Sequence, residues 1–259
     1  QRPAFAKPLK GGMMSQDIFV EVSHGPTLID NNILLSDASL RFATQGVAMV
    51  HNLICGALTC VGSGTDWRYT PYHMPHRTEV MGFMTILHGD DRFYNNIFVQ
   101  KWPSEDIITP HDSDDGFDSE NRLAGTWMFD EYPTKEEWDA QFDFTKPADM
   151  KKLETAHFGH LPVWSEGNVY LAGAKAWKHE KNGLTENQNP VIVELEEKDG
   201  QYYLNTNLYE MIADFSNRMI DTDVLGMAFE PEQPFENPDG TKIRFDRDYF
   251  GNHRGIRVV

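Results

Sequence analysis

Asn31-Asn32-Ile33-Leu34-Leu35 returns as His51-Asn52-Leu53-Ile54 and again as Asn95-Asn96-Ile97-Phe98-Val99. Each block is an Asn followed by branched or aromatic apolar residues, the composition of a short strand entered from a bend. Asn32 and Asn52 stand 20 residues apart, and Asn52 and Asn96 stand 44 apart. One strand start and one Asn per 20 to 25 residues is the signature of a solenoid. In such a fold Asn side chains at a bend stack and share amide hydrogen bonds between successive coils. Three ordinary strand starts with turn-favouring Asn would give the same text, so the pattern alone leaves both open.

Outward from these blocks the chain changes character. Residues 62–91 interrupt the repeat with Trp67-Arg68-Tyr69-Thr70-Pro71-Tyr72-His73-Met74-Pro75-His76-Arg77. A loop this long in a compact domain is usually functional, and its ring-rich content reads as a pocket wall. After Trp102 the chain is acidic and Pro-punctuated. Thr134 with Glu137 is a capping box and predicts a helix start. Strands are expected at Asn168–Leu171, Val191–Leu195 and Tyr202–Leu204, the last two joined by a hairpin turn over 197–200. Asn207 with Glu210 predicts a further helix whose apolar stripe is Leu208, Met211, Ile212 and Phe215.

Composition bounds the function. At 259 residues the chain can bury roughly 73% of its unfolded surface, and 40% hydrophobic residues exclude a disordered chain. No apolar run is long enough for a spanning helix. With 23 basic against 40 acidic residues the net charge is −17, which disfavours nucleic acid and anionic membrane as partners. Two cysteines, Cys55 and Cys60, are too few for a disulfide framework or a zinc centre and read as buried thiols. The stretch 112–120 is rich in the hard oxygen ligands calcium prefers. It lacks EF-hand spacing and reads better as a solvated acidic loop. No metal or cofactor is expected.

Chemistry is most plausible on a strand over Asp17–Val22. Alternation puts Ile18, Val20 and Val22 on the core face and Phe19 and Glu21 on the outer one. A half-buried carboxylic acid has a raised pKa and serves as a proton donor, although in so acidic a chain an ordinary solvated Glu is the better reading of the pattern alone.

Several blocks taken together resemble a known family. They are Phe19-Val20-Glu21-Val22-Ser23-His24-Gly25-Pro26, Leu28-Ile29-Asp30-Asn31-Asn32-Ile33, Val50-His51-Asn52-Leu53-Ile54 and Thr70-Pro71-Tyr72-His73. Further on come Gly89-Asp90-Asp91-Arg92-Phe93-Tyr94-Asn95-Asn96, Gly167-Asn168-Val169-Tyr170, Phe235-Glu236-Asn237-Pro238-Asp239-Gly240 and Asp248-Tyr249-Phe250-Gly251. They resemble the C-terminal part of glycoside hydrolase family 120, bacterial β-xylosidases. The resemblance implies an all-β, right-handed parallel β-helix with long irregular loops and a few short helices. Residues 1–102 would form the coils carrying the catalytic face. Residues 103–259 would continue them with an acidic loop layer, a β-hairpin and short helices. It implies a retaining glycoside hydrolase that releases xylose from short xylo-oligosaccharides in bacterial cytoplasm or periplasm, with Glu21 as general acid/base. A non-catalytic carbohydrate-binding protein or a polysaccharide lyase on the same scaffold is the alternative.

Neighbouring strands lie about 4.8 Å apart, close to the 5–5.5 Å between carboxyl groups that retaining enzymes need. Outward carboxylates on adjacent coils therefore suit a retaining mechanism. The family's nucleophile is an Asp about one coil earlier, which is expected upstream of Gln1 or on a second chain completing the sheet edge, a homo-oligomer being one such arrangement. The 20-residue step carries Glu21 to Arg41, which is no nucleophile, and Asp37 is too near in sequence. Candidate sugar contacts are His24, Arg41, Trp67, Tyr72, His73, His76, Asp91 and Arg92. The last two read either as a buried ion pair or as a hydroxyl clamp.

Overall fold

The computed structural model describes residues 16–60, 66–101, 123–142, 145, 147, 149–248 and 250–254, without the side chains of 66–68. The strands are β1 (Ile18–Glu21), β2 (Thr27–Asp30), β3 (Ile33–Leu34), β4 (Ala38–Ala43), β5 (Val47–Val50), β6 (Leu53–Ile54), β7 (Ala57–Thr59), β8 (Asp66–His73) and β9 (Val80–Ile86). They continue with β10 (Asp91–Tyr94), β11 (Ile97–Val99), β12 (Val163–Glu166), β13 (Val169–Leu171), β14 (Leu184–Glu186), β15 (Val193–Lys198) and β16 (Gln201–Thr206). Four short helices accompany them: α1 (Lys135–Ala140), α2 (Met150–His157), α3 (Leu208–Met211) and α4 (Thr222–Leu225).

Successive strands are dealt in turn to three parallel sheets. The first has the order β1-β4-β7, the second β12-β10-β5-β2 and the third β14-β13-β11-β6-β3. The corner between the second and third sheets repeats one device. A residue with positive φ turns the chain: Asn31 (54°), His51 (56°), Asn95 (56°) and Gly167 (72°). These are residue types that tolerate the left-handed region. An Asn follows each of them. The backbone N–H and the Nδ2 of Asn32 donate to Asn52 Oδ1 at 3.0 and 3.1 Å. Asn52 does the same to Asn96 (3.0 and 2.9 Å), and Asn96 to Asn168 (2.9 and 3.0 Å). Glu180 closes the series by accepting from the Asn168 backbone N–H at 3.0 Å. The spare Nδ2 hydrogens reach main-chain oxygens of Ile29, Met49 and Phe93. Buried amides demand such complete pairing. Gly167-Asn168 is the rung that the Asn pattern alone did not count.

Inside the three sheets like stacks on like. Leu40, Phe42, Met49, Ile54, Phe93, Phe98 and Tyr170 belong to one core cluster. Phe98 and Tyr170, register partners, stack at 5.2 Å and 6°. Cys55 and Cys60, both buried, remain thiols. The outer face of the third sheet is covered by the 193–215 segment through Val193, Leu208, Ile212 and Phe215. The outer face of the second is covered by the tail through Ile220, Leu225, Phe235 and Phe245. On the first sheet Glu21, at the end of β1, is exposed.

The expected all-β right-handed parallel β-helix is corrected. Among the described residues the sheets are mixed: three parallel sheets stand beside two antiparallel ribbons, β8–β9 and β15–β16, with short helices between strands. The reason is turn geometry and not connection length, since the two-residue corners 31–32, 51–52 and 95–96 are shorter than the 74–79 connection of β8–β9. Two consecutive left-handed residues, Asp199 (φ 54°) and Gly200 (φ 75°), reverse β15 onto β16. The Asn repeat reports pairing at one corner and is silent about what the chain inserts between rungs.

Local expectations fared variously. Thr134 and Glu137 form the predicted capping box. The stripe of Leu208, Met211, Ile212 and Phe215 packs on the third sheet. Asn207 does not cap α3: its side chain instead accepts from Ile192 N and donates to Pro190 O, tying β15 to the helix. The acidic stretch 112–120 lies outside the described residues.

Candidate functional site

β1 alternates as its residues require. Ile18 and Val20 pack on the core, while Phe19 is half-buried and Glu21 exposed. Opposite them in β4 stand Arg41, facing Phe19, and Ala43, facing Glu21. The expected Glu21–Arg41 stacking is therefore displaced by two residues. The corner after β1 spans residues 22–26, five residues, whereas the corner after β4 spans 44–46, three. The step is 22 residues in the first sheet (Ile18 to Leu40) and 20 in the second (Thr27 to Val47). The two extra residues lie in the Ser23-His24-Gly25-Pro26 turn itself. Arg41 is 2% exposed, with its guanidinium 5.6 Å from the Phe19 ring centre.

The turn is held tightly. Val22 N donates to Ala43 O at 2.7 Å and Gln45 N to Ser23 O at 3.1 Å. Thr44 Oγ1 accepts from Ser23 N and donates to Ser23 O. Gly25 N donates to Ser23 Oγ. Val22 adopts φ +46°, a left-handed conformation that costs a β-branched residue on the order of 1–3 kcal/mol. Gly25 and Gly46 pack back to back: a Cβ on Gly46 would stand 2.9 Å from His24 O, and one on Gly25 2.6 Å from Gly46 O.

His24 is 3% exposed. Its Nε2 donates to Thr70 O at 3.1 Å, and its ring meets Tyr72 edge-on at 5.6 Å. Burial lowers its pKa, which favours the neutral imidazole. His24 thus fastens the β8–β9 ribbon beside the Glu21 turn. Along that ribbon Tyr72 is half-buried and His73 exposed. His73 Nδ1 donates to Thr78 O. At the tip His76 Nε2 meets Glu236 Oε1 at 2.7 Å, across 160 residues of sequence. The Trp67 side chain lies outside the described residues. Tyr69 (69% exposed) and Phe83 (62%) present aromatic surface on the same ribbon.

Asp91 and Arg92 sit apart from this surface, 1% and 4% exposed. Arg92 forms its ion pair with Asp90 at 2.9 Å, and Asp91 accepts from Val47 N at 3.0 Å. Arg92 also donates to Leu225 O and Met227 O, both at 2.7 Å, and lies between the rings of Trp164 and Phe235. Asp90 accepts from Phe229 N at 2.8 Å. The Asp90–Arg92 pair thus clasps the tail onto the second sheet. Burial pushes the Asp90 carboxyl up to about 6 against the pull of Arg92. Burial likewise raises Asp91 well above the carboxylate range.

Glu236 stands in one of the blocks that carry the family resemblance, and nothing in its neighbourhood marks it as the partner of His76. The two lie far apart in the chain, and only the fold brings the ribbon tip to the tail. Of the two readings open for Asp91 and Arg92, an ion pair forms, with Asp90 as the partner of Arg92. Asp90 has φ 55°, a local conformation that turns its carboxyl toward the tail.

No protein-family model matches the chain, and no curated protein matches it. Among solved structures it is similar to the complex of XylC with xylose, at 29% identity and a TM-score of 0.76. The likeness covers 94% of this chain and 35% of that one, so the chain spans about a third of the length of that protein.

Proposed function

We propose that this chain carries the acid/base side of a xylosidase-like glycoside hydrolase site that releases xylose from short xylo-oligosaccharides. The observation that carries the reading is the likeness to XylC, solved with xylose, over nearly the whole chain. The environment of Glu21 supports it: an exposed carboxyl closing a strand, followed at once by a strained residue and a buried, firmly bonded turn. Strained backbone of this kind is concentrated at functional sites.

In this reading Glu21 protonates the glycosidic oxygen as the bond to the sugar breaks, then takes a proton from the water that completes hydrolysis. His24 is a positioning residue that sets the ribbon against the turn. Tyr72, His73, His76 and Trp67 are the proposed sugar contacts. Arg41, Asp91 and Arg92 serve as framework. The second carboxylate belongs on the side of β1 away from β4, where strand spacing supplies the short separation of a retaining pair.

In the full-length protein, which supplies the second carboxylate, replacing Glu21 by Gln is expected to lower kcat on unactivated xylo-oligosaccharides by about 10²–10⁴-fold. Added azide should partly restore turnover of aryl xylosides by attacking the glycosyl intermediate in place of water. Unchanged activity overturns the assignment. One observation favours a second reading, sugar binding without turnover: the residue facing Glu21 in β4 is Ala43, not a carboxylate. Xylobiose that binds and is recovered intact would select it.

A further inference from the structure

Beside the edge of β12 a cavity of about 120 Å³ opens against the 177–181 turn. It has room for a molecule of about four heavy atoms, at roughly 30 Å³ for each water-sized unit. β12 is the edge of the second sheet opposite β2. Three strand spacings of about 4.8 Å place it about 14 Å from β2, the strand that follows the Glu21 turn. The cavity is therefore separate from the Glu21 site.

The 177–181 turn is closed by Glu180 N, which donates to Trp177 O at 3.0 Å. It is tied to β12 and its following corner by Lys181 N to Ser165 O (3.0 Å) and Gly167 N to Lys181 O (2.8 Å). Three of its side chains line the cavity with donors that make no hydrogen bond among the described residues. Trp177 is 3% exposed, and its indole Nε1–H, which can only donate, has no partner. His179 packs edge-on against the Trp177 ring at 5.0 Å, and its Nε2 stands 3.7 Å from Glu137 Oε1, beyond hydrogen-bond reach. The Lys181 ammonium has no ion-pair partner among the described residues.

Two other cations on the wall are already engaged. Arg218 meets Glu166 at 2.6 Å, and Lys135 meets Asp139 at 2.6 Å. What is left over is an indole N–H, an imidazole and one ammonium, in a chain whose net charge is −17. The two ring donors match the two oxygens of a carboxylate, and the ammonium matches its single charge. A phosphate dianion brings a second charge, which Glu136 and Glu166 on the same wall oppose. A neutral sugar offers the ammonium no charge at all.

We propose that this cavity is a binding site for a small monocarboxylate of the size of acetate. The site is independent of the xylosidase-like reading.

Titration of sodium acetate into the full-length protein, exchanged against chloride at constant ionic strength and followed by the acetate methyl NMR signal, tests it. Saturable binding with a Kd of about 1 mM is expected. Trp177→Phe keeps an aromatic ring and removes the N–H, and Lys181→Gln removes the charge from an exposed side chain. Each should weaken acetate about tenfold. Lys181→Gln should leave the thermal midpoint unchanged, so it decides the matter even where Trp177→Phe fails to fold. Phosphate should bind about tenfold more weakly than acetate. The site is overturned by the lack of saturable acetate binding, by binding that ignores Lys181→Gln, by phosphate binding more tightly than acetate, or by xylose displacing acetate with equal affinity.

Discussion

Two of the corners between the parallel sheets are built on opposite plans. Between the second and third sheets four turns share one plan: one left-handed residue, then an Asn, buried at 52, 96 and 168, bonded to the Asn of a neighbouring turn. Between the first and second sheets no two turns match. Residues 22–26 carry a strained Val and a buried His, residues 44–46 end in Gly46, and Gly89-Asp90 serves the next turn. Repetition pairs the amides of Asn32, Asn52, Asn96 and Asn168 with one another or with Glu180. The irregular corner holds residues at the surface at some cost in strain, and Glu21 stands beside it.

The contrast can be broken at its strongest point first. Asn96 is fully buried, donates through Nδ2 to Asn168 and Met49, and accepts both donors of Asn52. Asn96→Ala strands several buried groups at about 1–3 kcal/mol each, so a loss of about 4 kcal/mol is expected by denaturant unfolding. A loss under about 1 kcal/mol would mean the repeated corner is not what holds the sheets in register.

On the irregular side Gly46→Ala should cost about 2–3 kcal/mol, since φ +72° and the approach to His24 O both oppose a Cβ. Because His24 is displaced, turnover should fall as well. Glu21→Gln gives the converse, with activity lost and stability within about 0.5 kcal/mol, as fits an exposed side chain.

His51 is the odd member of the regular corner, standing where Asn31 and Asn95 stand in neighbouring circuits. Burial, with Arg254 nearby, lowers its pKa to about 3. The unfolded His takes up a proton near pH 6.5, and the folded one does not until about pH 3. Its contribution to stability is therefore present above pH 6.5 and lost as pH falls toward 3. His51→Asn should be near neutral at pH 8 and more stable than the parent by about 2 kcal/mol at pH 4. Equal pH profiles would refute it. Asp90, raised to about 6, works in the other direction, with stability lost as pH rises from about 4 through 6. Melts of the His51→Asn protein should expose that trend.

The smallest effect tests the strain. At a relaxed position, deleting the half-buried Val22 side chain would cost about 1–2 kcal/mol. Val22→Gly should instead fall within about 1 kcal/mol of the parent, because a left-handed φ suits Gly.

Much of the regular corner was legible in the text of the chain, because Asn after a turn-tolerant residue is a local chemical statement repeated at Asn32, Asn52 and Asn96. Its fourth rung was hidden because Gly167 stands where an Asn or His had stood. Alternation along β1 correctly set Ile18 and Val20 inward and Glu21 outward. The partner of Glu21 was not legible: a count of 20 measured at one corner was applied to another that holds two more residues. The parallel β-helix expected for the whole chain failed at the ribbons, where strands fold back antiparallel on one another.

By itself the sequence determined what neighbours in the chain can settle: the helix start at Thr134, the Asp199-Gly200 turn, the apolar stripe from Leu208 to Phe215, and the amides able to pair at a bend. These follow from propensity, capping and periodicity within a few residues. Only the tertiary structure decided that Glu21 faces Ala43, that Arg92 pairs with Asp90 and reaches across to Met227, and that His76 meets Glu236. Those contacts depend on how many residues each corner holds and on which distant segment covers which sheet. Both are set by packing summed over the whole chain rather than by any stretch of it.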